Sequence, residues 1–368
     1  MTTGKPCLKK ILLSILKWSG CVLAALLVVF LVVLAAARAT TYFSHRIQTE
    51  NGIDESLYVT LGGQEQYLLI RGEDVSNPVV IWLHGGPSDS DAYLTHTFQK
   101  HLVQDYTVVN WDQRGCGRTY YRNREQDGDN RTATFAQAQA DLGELIAYVC
   151  DRFEKDKVIL IGYSYGTMLG SKYTLDHPQQ VAAYIGVGQV VSPEGEIYNY
   201  LDALQKAKAN GDDTADMEAA YEAYLADASL INMMILRSKT DRYHVAEKQA
   251  NTLWLRFASP YMGFDDFRWF LKQTGNLEDY FDLNRQLYEY ATETDVRDYG
   301  SEYRVPVGFI SGLHDWVSPA AYTYDYFCSI SAPQKQIHLI PDCGHAPQYD
   351  SPEEFCDILK GILAQFLS

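Results

Sequence analysis

One serine in this chain stands where a nucleophile would need to be. Gly162-Tyr163-Ser164-Tyr165-Gly166 follows the apolar run Val158-Ile159-Leu160-Ile161 and opens a helical stretch. A Gly-x-Ser-x-Gly turn from strand to helix holds its serine in a strained conformation, and neighbouring side chains would obstruct it. A serine hydroxyl attacks well only when a base takes its proton and a carboxylate orients that base. In such chains the acid and then the base follow the serine. The run 305–310 leads into Ser311-Gly312-Leu313-His314-Asp315, and the run 336–340 into Pro341-Asp342-Cys343-Gly344-His345. Only His338 and His345 lie beyond Asp315. His338 falls within a strand, whereas His345 falls in a loop that can reach Ser164. The expected catalytic set is Ser164, His345 as base and Asp315 as its orienter. Asp342, three residues from His345, is the rival acid, with a backbone-capping role as its alternative.

A carbonyl under attack develops negative charge on its oxygen, which backbone N–H donors can hold. His84-Gly85-Gly86-Pro87 follows the run 79–83. Proline cannot donate and glycine lets the backbone come close, so Gly86 is one expected donor. The N–H of Tyr165, next after the serine, is the other. His84 is expected to brace this loop.

These groups must be carried by strand ends. Residues 57–61 and 67–70 read as a hairpin closed near Gly62-Gly63. The runs 78–83, 107–111, 157–161, 181–187, 305–310 and 336–340 are short and continuously apolar, as suits strands buried on both faces. Helical stretches at 134–152 and 165–175 alternate with them. The expectation is an α/β fold with a mostly parallel sheet and helices on both faces. Residues 192–299 interrupt the alternation with aromatic-rich helical segments, expected at 197–210, 214–228, 241–258, 264–272 and 276–291. They read as a cap over the carboxyl edge of the sheet, where open α/β sheets bind ligands.

His84-Gly85-Gly86-Pro87-Ser88, Asp112-Gln113-Arg114-Gly115-Cys116-Gly117-Arg118 and the Ser164 turn together resemble the proline iminopeptidase family of α/β-hydrolases. Asp315 and His345 fall at that family's remaining catalytic positions. The resemblance spans about residues 55–365. It implies an α/β-hydrolase core over 55–191 and 301–368, a helical cap over 192–300, and a supporting turn with an internal salt bridge at 112–118. Ser88 and Tyr165 replace the glycine and tryptophan usual in the family. The implied activity is that of a serine peptidase, an aminopeptidase cleaving an amide near the amino end of a short peptide or amino-acid amide. Such a substrate carries an ammonium group that carboxylates must meet. Glu194 and Glu196 are the candidates, with Asp265, Asp266 and Glu293 as further acids; solvated helix faces are their alternative role. A small-ester carboxylesterase and a non-catalytic binding protein are the competing readings.

Residues 18–37 carry no charge, four lysines precede them, and their rise of about 30 Å spans a bilayer's hydrocarbon core. They are expected to form a single-pass transmembrane anchor, with residues 1–17 as a cytoplasmic tail, 38–54 as a linker and the catalytic body outside the cytoplasm. A signal peptide cleaved near Ala37-Arg38-Ala39 is the alternative. Formal net charge is −16, and because the first 49 residues are basic the body carries −22, which excludes nucleic acid as a partner. Neither a phosphate-cradling loop nor metal-ligand spacing is present, so no cofactor or metal is expected. The cysteines show no zinc spacing; buried thiols are expected, with one bridge among Cys328, Cys343 and Cys356 as the alternative.

Overall fold

The computed structural model describes residues 5–368, with side chains from Lys10 onward. Helix α1 (Lys5–His45) is followed by the hairpin β1 (Ile53–Leu61) and β2 (Gln64–Gly72). Gly62 and Gly63 close that hairpin at φ 53° and 78°, in the left-handed region that glycine enters freely. Then come β3 (Val79–Leu83), α2 (His96–Gln99), β4 (Thr107–Trp111), α3 (Gly117–Asp127), α4 (Phe135–Phe153), β5 (Val158–Tyr163), α5 (Tyr165–Asp176) and β6 (Val181–Val187).

An insertion follows, made of α6 (Gly195–Asn210), α7 (Ala215–Ala226), α8 (Leu230–Thr240), α9 (Thr252–Ala258), α10 (Phe264–Gly275), α11 (Leu277–Leu283) and α12 (Arg285–Glu293). The core then resumes with β7 (Val307–Gly312), α13 (Ala320–Ser329), β8 (Lys335–Ile340), α14 (Pro347–Asp350) and α15 (Pro352–Phe366).

The eight strands lie in the order β1-β2-β4-β3-β5-β6-β7-β8, antiparallel from β1 to β4 and parallel thereafter. Every residue of β3 and β4 is buried, as the apolar runs require for strands covered on both faces. The chain leaves β3 for β4 on one side and continues to β5 on the other. The carboxyl ends of β3 and β5 therefore lie side by side, at the switch point where such sheets leave a crevice.

The structure differs from the sequence reading at several points, the first being residues 276–291, which form two helices, α11 and α12, that meet at Asn284. Residues 241–258 are not one helix. Residues 244–251 run as a strap whose Lys248 N–H bonds to the Asp342 carbonyl and whose Ala250 N–H bonds to Asp350, and these partners replace the i−4 carbonyls. The helix lies earlier, at α8, where the Ser229 side chain caps the Asn232 N–H. Strand β7 begins after Pro306, which has no N–H to pair. The expected linker 38–54 is helical to His45 and packed on the body: Arg38 donates to the Met262 carbonyl, and Arg71 to the His45 carbonyl.

Nor does the 112–118 turn close on an internal salt bridge. Arg114 pairs with Asp141 on α4 through Nε at 2.8 Å and Nη2 at 3.0 Å, while Arg118 pairs with Asp266 on α10. The five cysteines of the body are free thiols. Over Lys10–His45, α1 is long and apolar enough to cross a membrane, with a mean hydropathy of 3.0 in its most apolar window.

The Arg114–Asp141 pair joins the turn to α4 almost wholly out of water, and Arg114 also donates to the Gly62 carbonyl at 2.8 Å. Removing one partner of such a pair leaves the other charge buried alone, at a cost of about 3–5 kcal/mol. Arg114→Ala is therefore expected to lower the unfolding free energy by that amount in a urea titration. Arg131→Ala, which breaks the exposed pair with Asp129, is expected to change it by less than about 1 kcal/mol.

Candidate active site

Ser164 sits between β5 and α5 at φ 51°, a left-handed conformation that costs a non-glycine residue energy. Its surroundings leave it little choice. A Cβ on Gly166 would lie 2.2 Å from the Leu83 carbonyl oxygen, and one on Gly162 would lie 2.4 Å from the Gly166 oxygen. Only glycine at both positions lets α5 start this close to β3. The Ser164 N–H is engaged with the Val187 carbonyl at 2.9 Å. The next amide, that of Tyr165, is the first of the helix and lacks an intrahelical acceptor.

The fold brings Ser164, His345 and Asp315 together. Asp315 follows β7, and its Oδ1 accepts the N–H groups of Val317 (3.0 Å) and Ser318 (2.9 Å). His345, in the loop after β8, has Nδ1 2.9 Å and 3.0 Å from the two Asp315 oxygens. Its Nε2 lies 2.9 Å from Ser164 Oγ. Since a carboxylate only accepts, Nδ1 carries the proton and Nε2 is left to accept one from the serine. Among the described residues, Asp315 is the carboxylate bonded to His345; Asp342 instead occupies a left-handed turn position at φ 63°. His338 lies in β8 beside Gln336.

Gly86 has φ 116°, and both it and Ser164 line one cavity of about 140 Å³ with Tyr165. His84 braces the Gly86 loop, accepting the Gln113 N–H on Nε2 at 3.3 Å while Nδ1 meets the Gly85 carbonyl at 2.9 Å. Burial pushes the imidazole's pKa down and keeps it neutral. The cap grips the same loop from above. Trp269 Nε1 donates to the Ser88 carbonyl (2.9 Å), the Tyr280 hydroxyl to the same carbonyl (3.1 Å), and the Tyr288 hydroxyl to that of Pro87 (3.3 Å).

The two expected acids part ways. Glu196 is buried at the start of α6 and lines the cavity, as does Arg237, whose Nε donates to Glu196 Oε1 at 2.8 Å. The second oxygen, Oε2, is buried without a partner among the described residues. Glu194 is not in the cavity: it pairs at the surface with Arg297 at 2.7 Å and accepts the Tyr322 hydroxyl at 3.0 Å. Asp266 is tied to Arg118 and Asp265 to Arg268, and Glu293 is exposed. Arg237 lies on α8, a helix outside those expected from sequence; its signal is Ser229 as a capping residue ahead of the largely apolar Leu230-Ile231-Asn232-Met233-Met234.

Residues 78–352 match the alpha/beta hydrolase fold family, and the chain belongs to it. It is a hydrolase whose relatives are the proline iminopeptidases and related aminopeptidases. The probable aminopeptidase YbaC of Bacillus subtilis (strain 168) is 26% identical, over 82% of this chain and 94% of its own. The proline iminopeptidase-related protein TTHA1809 of Thermus thermophilus shares the fold with a TM-score of 0.56 at 22% identity, over 86% of this chain and 99% of its own. A membrane phospholipase A, described as a bacterial virulence factor, shares it at 0.58 and 17% identity, over 97% of this chain and 99% of its own.

Asp91, after the Gly86 loop, is buried and accepts from Trp82 Nε1 at 3.1 Å and the Tyr349 hydroxyl at 3.2 Å. Burial pushes its pKa up to about 7 from 3.8. Between those values the unfolded chain has lost this proton and the folded chain still holds it. Asp91's contribution to stability is thus full below 3.8 and falls away as pH rises towards about 7. Asp91→Asn cannot ionise, so it is expected to gain stability relative to the unsubstituted protein as pH rises from about 4.5 to about 7.5. Urea titrations at the two pH values check this; a pH-independent difference would contradict it.

Proposed function

We propose that the protein is a membrane-anchored serine hydrolase that cleaves an amide bond beside the free amino end of a short peptide or amino-acid amide. The observation that carries the reading is the hydrogen-bonded sequence Ser164–His345–Asp315 opening on a capped cavity. Ser164 Oγ attacks the carbonyl carbon while its proton passes to His345 Nε2. The Gly86 and Tyr165 N–H groups receive the negative charge that forms on the oxygen. His345 then gives its proton to the leaving nitrogen, the C–N bond breaks, and an acyl ester remains on Ser164. Water repeats the sequence and frees the acid. Asp315 stays ionised throughout, holding the imidazolium.

Glu196 supplies the specificity. A buried carboxylate oxygen without a partner is costly, and a substrate ammonium is the group that would satisfy it. Arg237 holds Oε1 and leaves Oε2 free to receive that ammonium. In this reading α1 is the anchor, with the amino terminus on the cytoplasmic side and the body outside; the lysines that precede the apolar stretch support that orientation.

Ser164→Ala and His345→Ala are each expected to lower kcat/KM by about 10³-fold or more, with no further loss in the double variant. Asp315→Asn is expected to be severe and Asp342→Asn mild. Wild-type turnover by Ser164→Ala, or failure of a fluorophosphonate to label Ser164, would overturn the mechanism. Acetylating the substrate's amine is expected to abolish cleavage, and Glu196→Gln to raise KM for the free-amine substrate far more than for a neutral ester. Equal turnover of free and acetylated substrates would remove the aminopeptidase reading and leave an esterase with the same machinery.

A further inference from the structure

Helix α10 is amphipathic in the wrong sense for water. Its inward side carries Asp266, Trp269 and Gln273, which bond to Arg118, the Ser88 carbonyl and Asp89. Its outward side carries Phe264, Phe267 and Leu271, which are 75%, 37% and 50% exposed. On α9, Leu253 and Trp254 are also exposed, and the Phe257 ring, 6.2 Å from that of Phe267, joins the two helices. Adjoining apolar side chains of this size mark a surface that something covers.

The course of α1 says what covers it. Trp18 and the pair Tyr42-Phe43 are exposed at the two ends of the apolar stretch, where aromatic side chains sit at the faces of a bilayer. One turn before Tyr42, Arg38 donates to the Met262 carbonyl, two residues ahead of Phe264, and α1 packs against α9. Seven residues further on, the His45 carbonyl meets Arg71, which pairs with Val108 at the amino edge of the parallel strands. On leaving the apolar stretch, α1 thus passes the cap first and the base of the sheet second.

We propose that the exposed face of α9 and α10 is seated in the interfacial layer of the same bilayer that α1 crosses. The occupant is lipid: head groups and the first acyl carbons. The proposal rests on the reading of α1 as a membrane anchor. Because α10 also holds the Ser88 carbonyl through Trp269, lipid on its outer face steadies the loop that carries Gly86.

The test uses the full chain in vesicles of phosphatidylcholine and phosphatidylglycerol, with Cys7, Cys21, Cys150 and Cys328 replaced by serine. Single reporters are introduced by Leu26→Cys in the anchor, Phe264→Cys and Leu271→Cys on the face, and Lys157→Cys at the exposed amino end of β5, the edge away from the cap. Each is labelled with an environment-sensitive fluorophore and exposed to lipids bearing a nitroxide. Loss of emission at positions 26, 264 and 271, with full emission at 157, is the expected result. Quenching at 26 but not at 264 and 271 would overturn the seating while leaving the anchor intact. No quenching at 26 would remove the anchor, and the proposal with it. Equal quenching at 157 and 264, or shielding of 264 and 271 that depends on protein concentration and not on lipid, would also overturn it.

Discussion

The site depends on one backbone constraint, the left-handed turn at Ser164. A residue at φ 51° between a buried strand and a helix holds only if the helix can start against the neighbouring strand. The contacts around Gly162 and Gly166 show how close that approach is, with backbone atoms of Leu83 and Gly166 where side chains would otherwise stand. The same closeness brings the end of β3, and so the Gly86 loop, beside the serine. A larger residue at either glycine would push α5 outward, moving the hydroxyl from His345 and the Tyr165 amide from Gly86 together.

The cap is more than a cover. Its aromatic side chains reach down to the carbonyls of Pro87 and Ser88, and a carbonyl held from above fixes the plane of the adjoining peptide. Arg118 ties the turn below the site to α10 through Asp266. Loop, turn and cap are thus joined by polar side-chain bonds. A buried bond of that kind has one geometry, whereas apolar packing accepts several. The cavity inherits this order: Glu196 is aimed by Arg237 from α8, a different helix of the cap.

The position of α1 follows the same logic at larger scale. A helix that only tethered the body would need no polar contacts with it. Here Arg38 and the His45 carbonyl are both engaged, at two heights on the body. Each satisfies a strong hydrogen-bonding group near an apolar setting, where leaving it unpaired is costly. Helix α1 and the body therefore have one orientation relative to each other.

The sequence by itself was enough for the alternation of strands and helices, the presence of a helical insertion late in the chain, the apolar span, and the order of Ser164, Asp315 and His345. Each of these is written in local chemistry: apolar runs of strand length, glycines flanking a serine, a charge-free stretch of bilayer length. Tertiary structure alone decided which acids enter the cavity, which partners Arg114 and Arg118 take, and what the cap holds. Glu194 and Glu196 are two residues apart, yet one faces Arg297 at the surface and the other Arg237 within. The strap at 244–251 likewise looks helical in sequence and is drawn out by Asp342, in the loop after β8, and Asp350, at the end of α14. The physical reason is common to all of them. A helix or strand is selected by neighbours a few residues away, whereas Ser164 and His345 meet across 181 residues and Trp269 and Ser88 likewise across 181. Such pairs form because the sheet and the cap bring their carriers together, and no periodicity along the chain records it.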